Sequence, residues 1–187
     1  PVDWKPDVVV ISGDIGWTGN IEEYKKYEKI FLEPLLKGFS NLSPKKIVTC
    51  PGNHDLIRDN AECFERPHSD YKIEINNITR DLIEKKRKIH FQDYVDFFCA
   101  GDPQKLVSTL QFEEWPWLRF LVLNSAWDCR DDEDEGLLRV GLELLEEVAS
   151  DIDSENEIVI ALFHHPHIEV PDFNIERPTK TKRNWLH

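Results

Sequence analysis

The chain has 187 residues, with 36 Asp plus Glu against 23 Lys plus Arg and a formal net charge of −13, a size that suits one domain with a single core. Its 40% hydrophobic residues, 11 Pro and 8 Gly, without any low-complexity tract, exclude the collagen-like and Pro/Gly-rich disordered classes. The longest apolar runs, at 8–11 and 158–163, fall far short of the ~20 residues that span a bilayer, and Pro1-Val2-Asp3-Trp4 is not a basic-then-apolar leader, so neither a membrane span nor a signal peptide is expected.

Asp7-Val8-Val9-Val10-Ile11 is a β-branched run ending in Ser12-Gly13, which predicts a strand buried on both faces. After the loop 13–19, Asn20 is a good N-cap, and Glu22 and Glu23 favour the first helical turn. Tyr24, Tyr27, Ile30, Phe31 and Leu35 then recur at helical spacing. A helix of about 18 residues is expected up to Gly38, kinked by Pro34. Lys46-Ile47-Val48-Thr49-Cys50 predicts a second strand, stopped by Pro51-Gly52-Asn53-His54-Asp55. This is the rhythm of a βαβ unit.

Residues 56–105 break that rhythm. The segment reads as an insertion over one edge of the sheet, with helices around 78–88 and 91–98. Strands are expected again at 107–112 and 119–123, with Glu113-Glu114-Trp115-Pro116-Trp117 as the hairpin turn. The acidic run 131–135 reads as a solvated loop. Leu138, Leu142, Leu144, Leu145 and Val148 then mark an amphipathic helix closing near Ser150. A last buried strand is predicted over 157–163, ending at His164-His165-Pro166-His167.

Three polar clusters thus follow three apolar strands: Gly13-Asp14, Gly52-Asn53-His54-Asp55 and His164-His165-Pro166. In open α/β sheets ligands bind outside the carboxyl ends of strands, so such clusters converge. A carboxylate, an amide oxygen and an imidazole make an O/N donor set for Mn, Fe, Zn, Ni or Co. Asp14 alone reads as well as a loop aspartate bonding its own backbone; its coupling to Asn53 and His164 favours metal.

At these residues the chain resembles the calcineurin-like metallophosphoesterases of bacterial type, whose motif blocks run D-x-H, G-D, G-N-H-[DE], H-x-P and G-H-x-H. The middle three are present in order between residues 13 and 166. The first and last are missing. The resemblance implies an α/β fold, a metallophosphoesterase-type β-sandwich of mixed sheets flanked by helices and incomplete at both ends, with 1–187 as one domain fragment. Together with the absence of methionine, this predicts a piece of a longer protein that continues at both ends.

The resemblance also implies two divalent transition metal ions. Asp14 would bridge them at a spacing of about 3.5–4 Å, and Asn53 and His164 would bind the second. His54 would serve the leaving group without ligating metal, and Asp55 would orient or charge-stabilise His54. Where some members carry a further Asp, three residues after the bridging Asp, this chain has Trp17, expected to wall the substrate pocket. His165 is expected to reach substrate, Asn124 and Ser125 to reach the site edge, and His167 to be solvated. His68, His90, His187 and the other tryptophans read as ordinary surface or packing residues.

Hydrolysis of a small phosphomonoester or phosphodiester is the leading expectation. The alternatives are a nuclease of the same family and a metal-poor binding or regulatory domain of a larger signalling protein. Extended nucleic-acid binding is disfavoured by the charge of −13, with Lys85-Lys86-Arg87-Lys88 and Lys180, Lys182 and Arg183 read as solvated faces. Cys50, Cys63, Cys99 and Cys129 form no C-x-x-C pair and are expected as reduced thiols in a cytoplasmic protein.

Overall fold

A computed structural model of the chain describes residues 4–57, 93–94, 106–127, 129, 138, 140–166 and 170. Strand β1 (Val9–Ile11) pairs in parallel with β2 (Ile47–Thr49), Val9 opposite Ile47 and Ile11 opposite Thr49. A second sheet is mixed, in the order β3 (Val107–Phe112), β4 (Trp115–Leu123), β5 (Ile158–Leu162), with β3 antiparallel and β5 parallel to β4.

The alternation of strand side chains assigns β4 two jobs. Phe120 and Val122 join Val48 and Cys50 of the first sheet and Leu162 of β5 in one buried cluster. Leu121 and Leu123, pointing the other way, join Tyr24, Leu56, Tyr94, Leu106 and Val140 in a second. Partly buried Leu144, Leu145 and Val148 of helix α3 (Leu142–Ser150) pack against this second cluster. Burying a side chain of this kind contributes ~1.5–3 kcal/mol, so β4 anchors both layers. Arg119 of β4 forms a forked ion pair with Glu157, its Nη2 lying 2.8 Å from Oε1, and ties β4 to the start of β5.

The expected long helix is three pieces. Helix α1 (Ile21–Tyr27) is capped by Asn20, whose Oδ1 accepts from the amides of Glu22 and Glu23 at 3.1 and 3.2 Å. A π-helical turn, Glu28–Leu32, leads into α2 (Glu33–Gly38). Pro34 explains the break. It has no amide hydrogen, and its ring would clash with the carbonyl four residues back; the chain widens, and the Glu33 amide reaches Glu28 O instead.

Other expectations also change. Trp115, Pro116 and Trp117 belong to β4, so the turn is only Glu113-Glu114, with Phe112 opposite Trp115. Aromatic residues suit strands, and Pro116 is tolerated because β5 joins the ladder only from Leu118 and the register shifts between Gln111 and Phe112. Helix α3 starts at Leu142, after a left-handed Gly141, so Leu138 is buried but precedes it. Among the described strands only β2 is buried along its length; Val10 is exposed in β1, and Ile158 and Ile160 are exposed in β5. Strands β1 and β5 each have one pairing neighbour among the described residues, not the two of an interior strand.

The helices expected within 56–105 and the acidic run 131–135 lie outside the described residues, apart from two helical positions. Of these, Asp93 Oδ2 accepts from the Ile21 amide at 2.8 Å, and buried Tyr94 meets Tyr24 edge-on at 5.9 Å. No helix among the described residues is long and apolar enough to cross a membrane.

Candidate metal centre

Parallel pairing of β1 with β2 sets the two loops at their carboxyl ends side by side. The end of β5 meets them there. The Nδ1 of His164 lies 2.6 Å from Ser12 O. A carbonyl only accepts, so Nδ1 carries the hydrogen, and in the neutral tautomer this leaves the lone pair at Nε2. That Nε2 lies 3.2 Å from Asn53 Oδ1 and 3.4 Å from Asp14 Oδ1.

Three acceptor atoms facing one another require a proton or a cation between them. With metal–ligand bonds of roughly 2.1 Å, neighbouring donors in octahedral or tetrahedral shells lie about 3.0–3.4 Å apart, and both measured separations match. The Ser12 carbonyl supplies the outer contact that fixes a ligating imidazole's tautomer. Among the described residues no three His, Cys, Asp or Glu side chains form a metal-sized group; the set reaches three donors because Asn53 is one of them.

The backbone at this point is strained. Asp14 has φ 55°, and Gly13 before it has φ 93°. Left-handed backbone at a non-glycine residue costs on the order of 1–2 kcal/mol and gathers at functional sites. The neighbouring loop fits against it with no room for a side chain. A Cβ on Gly52 would run into Oδ1 of Asp14 and come within 2.5 Å of its backbone nitrogen.

Asp55 fastens the two loops together from beneath. It is fully buried; Oδ1 accepts from the amides of Ile15 at 3.1 Å and Gly16 at 2.9 Å, and Oδ2 accepts from the Gly52 amide at 2.9 Å. The Tyr24 hydroxyl donates to Oδ1 at 3.2 Å. Burial pushes the Asp55 carboxyl above its ordinary range, against the lowering effect of these hydrogen bonds. Its carboxylate is thus committed to backbone amides, whereas the His54 ring finds a different partner.

That partner is Trp17. The His54 Nδ1 lies 3.1 Å from Trp17 O, and the imidazole stacks on the indole with centroids 4.3 Å apart at 19°. Again the carbonyl fixes the proton on Nδ1, and among the described residues Nε2 has no partner. The His54 amide donates to Asp14 Oδ1 at 3.1 Å, which seats this residue against the carboxylate that faces His164.

His165 points inward instead of toward substrate. Its amide donates to Ser125 Oγ at 3.2 Å, its Nδ1 lies 2.9 Å from the same oxygen, and its Nε2 lies 3.6 Å from Cys129 Sγ. Burial of the ring pushes it down to about 4. Ser125 therefore supports the site from below, and Asn124 Oδ1 caps the Ala126 amide. Cys50 and Cys129 are buried thiols outside any disulfide, and burial pushes the Cys50 thiol up to about 12, so it offers no thiolate. Glu23, Ser125 and Cys129 were not marked by any motif; only the position of Ser125 beyond a strand end pointed to the site.

Asp14, Asn53 and His164 therefore meet, His54 stands beside them, and Asp55 braces the loops that carry them. No curated protein matches the chain. The model of the calcineurin-like phosphoesterase family matches residues 2–185, nearly the whole length, and the chain belongs to that family, whose general activity is metal-dependent phosphoester hydrolysis.

Proposed function

We propose that the full protein hydrolyses small phosphomonoesters or phosphodiesters at a dinuclear centre, with Asp14 shared by two divalent transition metal ions and Asn53 and His164 holding one of them. The observation that carries this reading is the convergence of Asn53 Oδ1 and Asp14 Oδ1 on His164 Nε2 at 3.2 and 3.4 Å. When bound, the cations supply charge neutralisation for the phosphoryl oxygens and acidify water. The protein's own residues do the rest. Asp55 keeps the two loops in register, and the protein excludes side-chain bulk at Gly52 so that Asp14 can approach. His54, with Nδ1 engaged by Trp17 O, offers Nε2 to the leaving oxygen, where a proton on that nitrogen would pass to the departing alkoxide. The cluster shared by the two sheets supports their reading as the layers of a β-sandwich within one domain.

Hydrolysis of p-nitrophenyl phosphate and its bis ester by the full natural protein with Mn tests the reading. His54→Ala should lower kcat on the order of 10²–10⁴-fold with metal content near wild type, while Asn53→Ala should lose metal and rate together. Metal binding without hydrolysis of either ester would favour a binding or regulatory domain. Nicking of DNA without turnover of the small esters would favour the nuclease. Equal metal loss in both variants would make His54 a ligand.

A further inference from the structure

The segment 15–18 is held by two carboxylates that come from elsewhere in the chain. Asp55 takes the amides of Ile15 and Gly16, and Glu23 Oε2 takes those of Trp17 and Thr18, each at 2.8 Å. Four consecutive amides are thereby satisfied without water. Partial burial pushes the Glu23 carboxyl up, but the amides of Thr18 and Trp17 outweigh it and leave it below the ordinary range, as expected of a carboxylate gripping a loop. Glu23 lies in the first turn of α1, whose own cap is Asn20, so the loop is pinned to a regular element.

The product of this construction is an indole that buries almost nothing. Trp17 is 72% exposed, which makes it a poor contributor to the core, yet both its amide and its carbonyl are engaged, by Glu23 and His54. What it does touch is His54, through both the ring stack and the carbonyl at Nδ1. A stack constrains the ring plane and a hydrogen bond constrains rotation within that plane. Together they leave the imidazole one orientation, with Nε2 as its open edge.

We infer that Trp17 is a positioning residue for His54: its indole and carbonyl hold the imidazole in the orientation in which Nε2 meets the leaving oxygen, and Glu23 anchors Trp17 to α1 for this purpose. The inference rests on the role proposed above for His54, and the two can fail separately. Loss of the stack would let the ring swing, and misplacement of a catalytic group by about 1 Å can cost on the order of 10²-fold.

Two measurements test it in the full natural protein. First, the carbon-bound imidazole proton resonances of His54, assigned by their loss in His54→Gln, should move downfield in Trp17→Ala, which removes the ring current, and stay near wild type in Trp17→Phe. This readout needs no activity, and unchanged resonances in Trp17→Ala would overturn the inference. Second, Trp17→Ala should lower kcat for an alkyl phosphoester about 10–100-fold with KM within about twofold. It should cost less for p-nitrophenyl esters, whose leaving group needs no proton, and Trp17→Phe should restore most of the loss. The double variant Trp17→Ala/His54→Ala should be no slower than His54→Ala. Additive losses in the double variant, or equal losses for both leaving groups, would show that Trp17 acts apart from His54. A normal resonance pattern with no effect of His54→Ala on hydrolysis would leave the positioning intact and reject the proposed role of His54.

Discussion

The loop after β1 and the turn between β3 and β4 are both short connections, and they are built on opposite terms. At Glu113-Glu114 the chain reverses with two residues, and the strands supply the stability: Phe112 packs edge-on against Trp115 at 5.6 Å, and Lys46 sits 5.0 Å from the Trp115 ring. After β1 the chain instead adopts left-handed backbone at Gly13 and Asp14. It is held there by carboxylates 39 or 40 residues away in the case of Asp55 and five or six in the case of Glu23. Strain persists only where surroundings over-determine it. The hairpin follows local strand preference, whereas the β1 loop opposes local preference in order to aim Asp14.

Disturbing the over-determined loop should therefore cost far more than disturbing the turn. Gly52→Ala is a severe small change, because its methyl group would meet the Asp14 backbone nitrogen as well as the carboxylate oxygen. A loss of about 3 kcal/mol in denaturant unfolding is expected, together with a fall in Mn affinity on the order of 100-fold. A variant that kept wild-type stability and affinity would show that the loops are not braced as described.

The next effect is read through pH, beneath the same loops. Unfolded His165 takes up a proton below its ordinary 6.5, while the folded residue stays neutral down to about 4. Over that window the unfolded state binds more protons, so the contribution of His165 is full above pH 6.5 and is lost as pH falls toward 4. His165→Gln should flatten this part of the stability profile relative to wild type; an unchanged slope would mean that His165 is already protonated when folded. The smallest effect belongs to the hairpin. Glu114→Gln removes an exposed pair with Lys46 at 3.5 Å and should move Tm by less than about 2 °C without altering activity.

The same contrast explains what could be read in advance. Strand ends followed by Gly-Asp, Gly-Asn-His-Asp and His-His-Pro stand out because they are contiguous, and β2 stands out because its burial is written in Ile47, Val48 and Thr49. Most partners of Asp55 and Glu23 are backbone amides, which every residue but proline has, so no side-chain pattern announces them. His164 and His165 are adjacent and identical in type; only the registration of β5 beside β4, with Ser125 and Cys129 below, turns one outward and the other inward. Trp115-Pro116-Trp117 reads as turn because Pro is a strong local breaker, while its tolerance depends on β5 pairing only from Leu118. Pro34 did signal a disturbance, but that the disturbance is a π-helical turn is set by which carbonyl the Glu33 amide can reach.

The proposal that three acceptors converge on one cation is tested most directly by an anomalous difference map from crystals of the full natural protein grown with Mn. A peak within about 2.2 Å of Asp14 Oδ1, Asn53 Oδ1 and His164 Nε2 is the expected result, with a second peak sharing Asp14 and with His54 and His165 outside bonding distance. A peak bound by His54 or His165, or metal elsewhere with a proton left between His164 and Asp14, would contradict it.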